Sequence, residues 1–271
     1  MILFVFEGEK SEPKIFETIK TLFFEKRDES IVCCYNSNIY SLYNTIKRDY
    51  SDFETENSRE SIDIVSILRK KKAQSKDNPF ANIDKTFVFE EIYLIFDYDF
   101  QESFNQIYNT TDWKGNLVQL NTQLKEMLAF FNDETSVGKL FINYPMVESL
   151  FFTKHLRDNN YFSYKVSIDI CRQHQFKQHC EQFTSYKGHS KLLCDDNTPL
   201  DVVRDNWSLL KEQNVSKANY ICTGKNEMPE KKEDVSQQSI FKNQLEKYVL
   251  TDDCCVAILN AFPLFLYEYF K

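Results

Sequence analysis

Two continuous apolar runs of strand length, ILFVF at residues 2–6 and IYLIF at residues 92–96, constrain the fold more than any other feature of the chain. A strand with one face in water alternates apolar and polar side chains, whereas an unbroken apolar run is covered on both faces. Such strands belong inside a parallel sheet flanked by helices. The intervening sequence supplies those helices. Pro13 opens an amphipathic pattern with Ile15, Phe16, Ile19, Leu22 and Phe23 on one side, and Ser11 and Glu12 stand where a cap and a first-turn acid belong. Residues 31–35 read as a second short strand, and Ile39, Leu42, Tyr43 and Ile46 as a second helix. Residues 51–60 are polar and strand-free, and residues 62–68 read as a helix running into the basic tetrad Arg69, Lys70, Lys71 and Lys72. Leu117, Leu120, Leu124, Leu128 and Phe131 mark another helix, residues 140–143 a short strand, and Pro145 a further helix start.

This alternation holds to about residue 155. Beyond it the pattern is helical or irregular, with helices expected at 200–210 and 241–250 and a charged loop at 226–238. The expected architecture is α/β: a mainly parallel sheet with helices on both faces at 1–155, and a mostly helical C-terminal extension at 156–271 packed on it.

Composition narrows the function. A globular chain with 42% hydrophobic and 27% charged residues has ample material for a core. Lys and Arg total 33 against 41 Asp and Glu, a net charge of −8. A protein that coats nucleic acid by bulk charge is basic, so nucleic-acid contact here has to be local, metal-assisted or shared with a partner. The first ten residues lack a basic leader, and the apolar stretch 256–270 is interrupted by Asn260, Pro263 and Glu268, too short to span a bilayer. The expectation is a cytoplasmic protein without membrane contact, its eight cysteines reduced.

The acids fall at strand ends. Glu7 follows the first buried run, Asp97 and Asp99 follow the second, and Glu148 lies one helical turn beyond the strand at 140–143. In a parallel sheet the carboxyl ends of the strands share one edge, where ligands bind. Converging carboxylates repel unless a cation sits between them, and an all-oxygen site suits Mg²⁺ or Mn²⁺. Such a centre activates water and neutralises a phosphoryl group. The helix near Pro13 aims its N-terminal end at the same place, which favours phosphate. Acids after strands also serve as turn residues and helix caps, and that reading stands beside the metal one.

The segments FVFEGEKSEPKIF and IYLIFDYDF together resemble the two signatures of a Toprim domain, in which a glutamate follows the first strand and Asp-x-Asp a later one. The likeness is closest to the RloB-like and OLD-family Toprim nucleases, with Asn143 to Glu148 as a third segment and Ser11 where threonine is usual. The resemblance implies that Glu7 is a catalytic or metal-organising acid, that Asp97 and Asp99 hold metal, and that Glu12 and Glu148 add ligands. It implies Lys187 as a transition-state cation. It also implies a metal-dependent nuclease acting on DNA or RNA, an anti-phage effector working with an ABC-type ATPase partner or as a homo-oligomer. A second reading is a non-catalytic module that binds a nucleotide or phosphate and docks a partner protein.

Other constellations compete less well. Cys171, His174, His179 and Cys180 have zinc-ligand chemistry, yet the adjacent His179 and Cys180 diverge on a helix. No Walker-type loop and no nucleophile elbow occurs. The tetrad Arg69 to Lys72 is the candidate nucleic-acid contact, against the plain alternative of a solvated helix end.

Overall fold

The computed structural model describes residues 1–25, 29–50, 62–98, 113–186, 191–195 and 197–270. Asp99, Lys187 and the polar segment 51–60 lie outside the described residues.

Both apolar runs become interior strands. β1 (Ile2–Phe6) is buried at every position, between β2 (Ser30–Cys34) and β3 (Glu91–Asp97), and β5 (Gly138–Asn143) continues the sheet beyond β3. These four strands are parallel, in the order β2-β1-β3-β5, with Phe6 opposite both Cys34 and Ile95, and Asp97 opposite Asn143. The two-residue β4 (Asn132–Asp133) closes the far edge antiparallel to β5. At that tight turn Gly138 holds φ +106°, and a Cβ there would meet Leu94 Cδ1 at 2.5 Å. Only glycine fits such a position without strain.

Helical crossovers join the parallel strands. α1 (Ser11–Phe23) links β1 to β2 and presses Phe16 onto Phe4 at 4.1 Å and Phe6 at 5.6 Å. α2 (Ile39–Asp49) and α3 (Ile64–Lys72) link β2 back to β3, and α4 (Trp113–Phe130) links β3 to β5. Tyr43 of α2 donates to Glu126 of α4 at 2.7 Å, tying the helices of one layer together.

The C-terminal part is helical, as its sequence suggests, with a small addition. The short α5 (Ile168–Arg172) and α6 (Phe176–Phe183) precede the 24-residue α7 (Leu200–Thr223), which ends at Gly224 in the left-handed region. α8 (Gln237–Gln244) runs on into a π turn at Leu245–Val249. β6 (Lys165–Ser167) and β7 (Cys255–Ala257) form a separate antiparallel pair that no alternating pattern announced. The stretch 256–270 proves to be β7 followed by α9 (Ala261–Tyr269). α9 covers the same sheet face as α1, with Phe265 5.4 Å from Phe4, 5.0 Å from Tyr93 and 6.0 Å from Phe141. One continuous apolar core therefore joins residues from both parts of the chain.

Three local expectations change. α1 begins at Ser11, so Ser11 and Glu12 lie inside its first turn and Lys10 is the N-cap residue, without a side-chain cap. Glu12 instead reaches back to accept the Gly8 backbone N–H at 3.0 Å. Pro145 opens no α-helix; a 3₁₀ helix, Val147–Phe151, follows it. The charged loop expected at 226–238 is cut short, because Lys232–Val235 forms a 3₁₀ turn and Gln237 begins α8.

Candidate functional site

From β1 the chain first crosses to β2 on one side and then returns to β3 on the other. That reversal opens a crevice between the carboxyl ends of β1 and β3, the place where open α/β sheets bind ligands. Glu7 is the first residue after β1, and Asp97 is the last residue of β3. They meet across the crevice: the Asp97 backbone N–H donates to Glu7 Oε2 at 3.1 Å. Glu12, bent back over Gly8, stands behind them, since a Cβ at Gly8 would lie 3.0 Å from its Oε2. Glu148 comes from the 3₁₀ helix after β5, its side chain 17% exposed, with Lys177 Nζ 3.9 Å from its Oε1.

Electrostatics show how close this gathering is. Burial pushes the Asp97 carboxyl well above the usual range, and the charges of Glu7, Glu12 and Glu148 push it further; the Asn143 amide opposes them. Burial also raises Glu148, with Glu12 and Glu181 adding to it, while a backbone hydrogen bond and Lys177 pull it down. Four carboxylates thus share one electrostatic environment. They do not share one coordination sphere: among the described residues no three His, Cys, Asp or Glu side chains are placed to hold a metal ion. Asp99, the second half of the Asp-x-Asp, is outside that set, as is Lys187. The donor chemistry is all carboxylate oxygen, which suits a hard divalent cation.

Buried amides hold this edge in place. Asn143 Nδ2 donates to Asp97 Oδ1 at 2.9 Å, and Asn143 Oδ1 accepts the Ala261 N–H of α9 at 2.9 Å. Asn260 caps α9 by accepting from Phe262 N–H at 3.0 Å, and its Nδ2 donates to Val147 O at 3.1 Å and Ser149 Oγ at 2.9 Å. Asn214 Oδ1 in turn accepts from Asn260 N–H at 3.0 Å and from the Tyr161 hydroxyl at 2.8 Å. Sequence reasoning assigned none of these amides a role. For Asn143 and Asn260 the signal was an asparagine inside an apolar stretch, since a buried amide needs partners on both its atoms; Asn214, in the polar run KEQNVSK, had none.

The basic tetrad divides. Arg69 donates to Ile83 O at 3.0 Å and Asp84 O at 2.7 Å and lies over the Phe80 ring, so it holds a loop. Lys72 is buried beside the end of β2, where the Cys34 thiol feels it together with Glu12 and Glu9. Lys71 reaches over the Tyr35 ring at 3.5 Å, and Lys70 and Lys71 are exposed. The tetrad is thus partly structural, with Lys70 and Lys71 exposed and Lys72 buried near Cys34.

The Cys–His cluster does not assemble. Cys171 Sγ donates to Ser167 O and Cys180 Sγ to Glu148 O, both thiols pushed up to about 12 by burial. His179 packs against Phe152 at 5.5 Å. None of the eight cysteines is in a disulfide. No family model, no curated protein and no solved structure matches the chain, so the meaning of this edge rests on its own chemistry.

Proposed function

We propose that this chain is a Mg²⁺- or Mn²⁺-dependent nuclease of the Toprim type, hydrolysing phosphodiester bonds in DNA or RNA. The observation that carries the reading is the Glu7–Asp97 contact across the crevice between β1 and β3, with Glu12 and Glu148 in the same electrostatic environment. A divalent cation bound there would neutralise charge on the phosphoryl oxygens and make water a better nucleophile. Asp97, Asp99, Glu12 and Glu148 are the residues that would hold it. Glu7, fixed by its hydrogen bond to the β3 backbone, is placed to orient the attacking water and take its proton. Lys187 and Lys72 are the cations assigned to the substrate's charge.

The net charge of −8 weakens unaided capture of a polyanion, which favours work inside an assembly. An ABC-type ATPase partner or a homo-oligomer, acting in phage defence in the cytoplasm, is the setting that the motif resemblance suggests. No helix among the described residues is long and apolar enough to cross a membrane.

A second reading has one observation in its favour. The described carboxylates are not arranged as a ready coordination sphere, which suits a module that binds a nucleotide or phosphate without turnover. Incubating the protein with single-stranded DNA, duplex DNA and tRNA, in Mn²⁺, Mg²⁺ or EDTA, separates the two. Metal-dependent cleavage by wild type and none by a Glu7→Ala, Asp97→Ala variant supports the nuclease. Equal cleavage by both places the activity elsewhere. Binding without cleavage, with candidate partners supplied, supports the module.

A further inference from the structure

We propose that the pocket beside Glu148 is a subsite for one phosphate-bearing nucleotide of an unpaired substrate strand. The inference deepens the nuclease reading and rests on it. The pocket encloses about 320 Å³, enough for a single nucleotide and too little for a base pair. Three lysines ring it: Lys10 and Lys14 from the start of α1, and Lys177 from α6 in the C-terminal part. Two carboxylates, Glu148 and Glu181, share the lining, so in a chain of net charge −8 the lysines outnumber the acids here by one, and they come from segments far apart in sequence.

These cations are scarcely spent on the protein itself. Among the described residues Lys10 and Lys14 form no ion pair, and Lys177 approaches Glu148 only to 3.9 Å. Ammonium groups on flexible stems suit a phosphate, whose oxygens accept from several directions. The positive end of the α1 dipole adds to the same field. The lining also carries the apolar side chains Ile15, Val147 and Phe151, which give a sugar or base face something to pack against. A bare inorganic anion has no use for those side chains. A nucleotide uses both.

Position links the pocket to the acidic edge. Glu148 lines the pocket, and its charge is among those felt at Asp97. Glu148 thus belongs to both the pocket and the acidic group, so a strand seated on the lysines would continue beside the carboxylates. The lysines would set the register of the strand, and the one-nucleotide width would require that strand to be unpaired.

The test is calorimetric titration of the full chain in EDTA with the phosphorylated dinucleotide pTpT. Wild type is compared with a Lys14→Gln, Lys177→Gln variant, and melting curves confirm that both fold alike. Affinity is expected to fall at least about tenfold in the variant, and the slope of log K against log salt to fall by about 1. Equal affinity, or no binding by either protein at millimolar pTpT, overturns the subsite. The readout needs no cleavage, so the two readings fail separately. A lysine-dependent binder that cuts nothing keeps the subsite and removes the nuclease, and cleavage with lysine-independent binding does the reverse.

Discussion

Replacing Asp97 by Asn is expected to abolish metal-dependent cleavage, by about 10²–10³-fold or more, while making the metal-free protein more stable at neutral pH. The two effects share one cause. Asp97 is half-buried and feels the charges of Glu7, Glu12 and Glu148, with Asn143 as its neutral partner, so ionising it in the folded state is costly. A carboxyl whose folded pKa is raised contributes stability that is fully present below its unfolded pKa and lost as pH rises through the folded one. Wild type without metal should therefore lose stability as pH climbs from about 4. The Asn variant keeps the shape and the hydrogen bond to Asn143 but lacks the charge. Its melting temperature should exceed that of wild type at pH 7 by at least about 2–4 °C, the shift that 1 kcal/mol gives a chain of this size. The gap should close toward pH 4. Millimolar Mn²⁺ should reverse the order at pH 7, since only wild type gains binding energy from it, about 2.7 kcal/mol at a hundredfold excess over Kd. Thermal melts at several pH values, with and without Mn²⁺, read all of this. A variant that melts below wild type throughout would show Asp97 to be a structural residue.

Asn260→Ala is expected to destabilise the chain by about 3–4 kcal/mol, close to the largest effects of single substitutions. The side chain is fully buried and makes three hydrogen bonds, to Phe262 N–H, Val147 O and Ser149 Oγ. Loss of the cap costs about 1 kcal/mol, and the buried groups it leaves unpaired cost about 1–3 kcal/mol more. The damage also falls on the acidic edge, because Val147 and Ser149 flank Glu148 in sequence. Denaturant unfolding at unchanged m-value would measure the stability loss. Weaker Mn²⁺ binding under folding conditions would show that the amide also positions Glu148. A change below about 0.5 kcal/mol would mean that water replaces the lost bonds.

The sheet was legible in the sequence because β1 and β3 carry unbroken apolar runs. The unbroken runs at 2–6 and 92–96 leave few alternatives to a doubly covered parallel sheet, and the acids that follow them mark the carboxyl ends of its strands. The closing helix α9 was not legible. Its sequence AFPLFLYEY is apolar nearly all round, so it carries no helical period to distinguish it from a buried strand. The short β6 and β7 are three residues each, below the length at which alternation means anything. At the site, charge position along the chain pointed to Glu7, Asp97 and Glu148. The lysine pocket was invisible, because Lys177 meets Lys10 and Lys14 only through tertiary packing.

The place of α9 has a consequence for the order in which the protein is made. Synthesis delivers β1 to β5 long before residues 261–269, so Phe16 of α1 already lies on Phe4 while the neighbouring Tyr93 and Phe141 rings still lack Phe265. Asn143 waits with them, since the backbone N–H it accepts belongs to Ala261. The acidic edge is therefore expected to be the last part of the molecule to set. Ribosome-bound chains stalled before Asn260 emerges should then be cut by protease within residues 1–150, and chains stalled after residue 270 emerges should resist. Equal resistance of the two would show that the sheet face finds other cover.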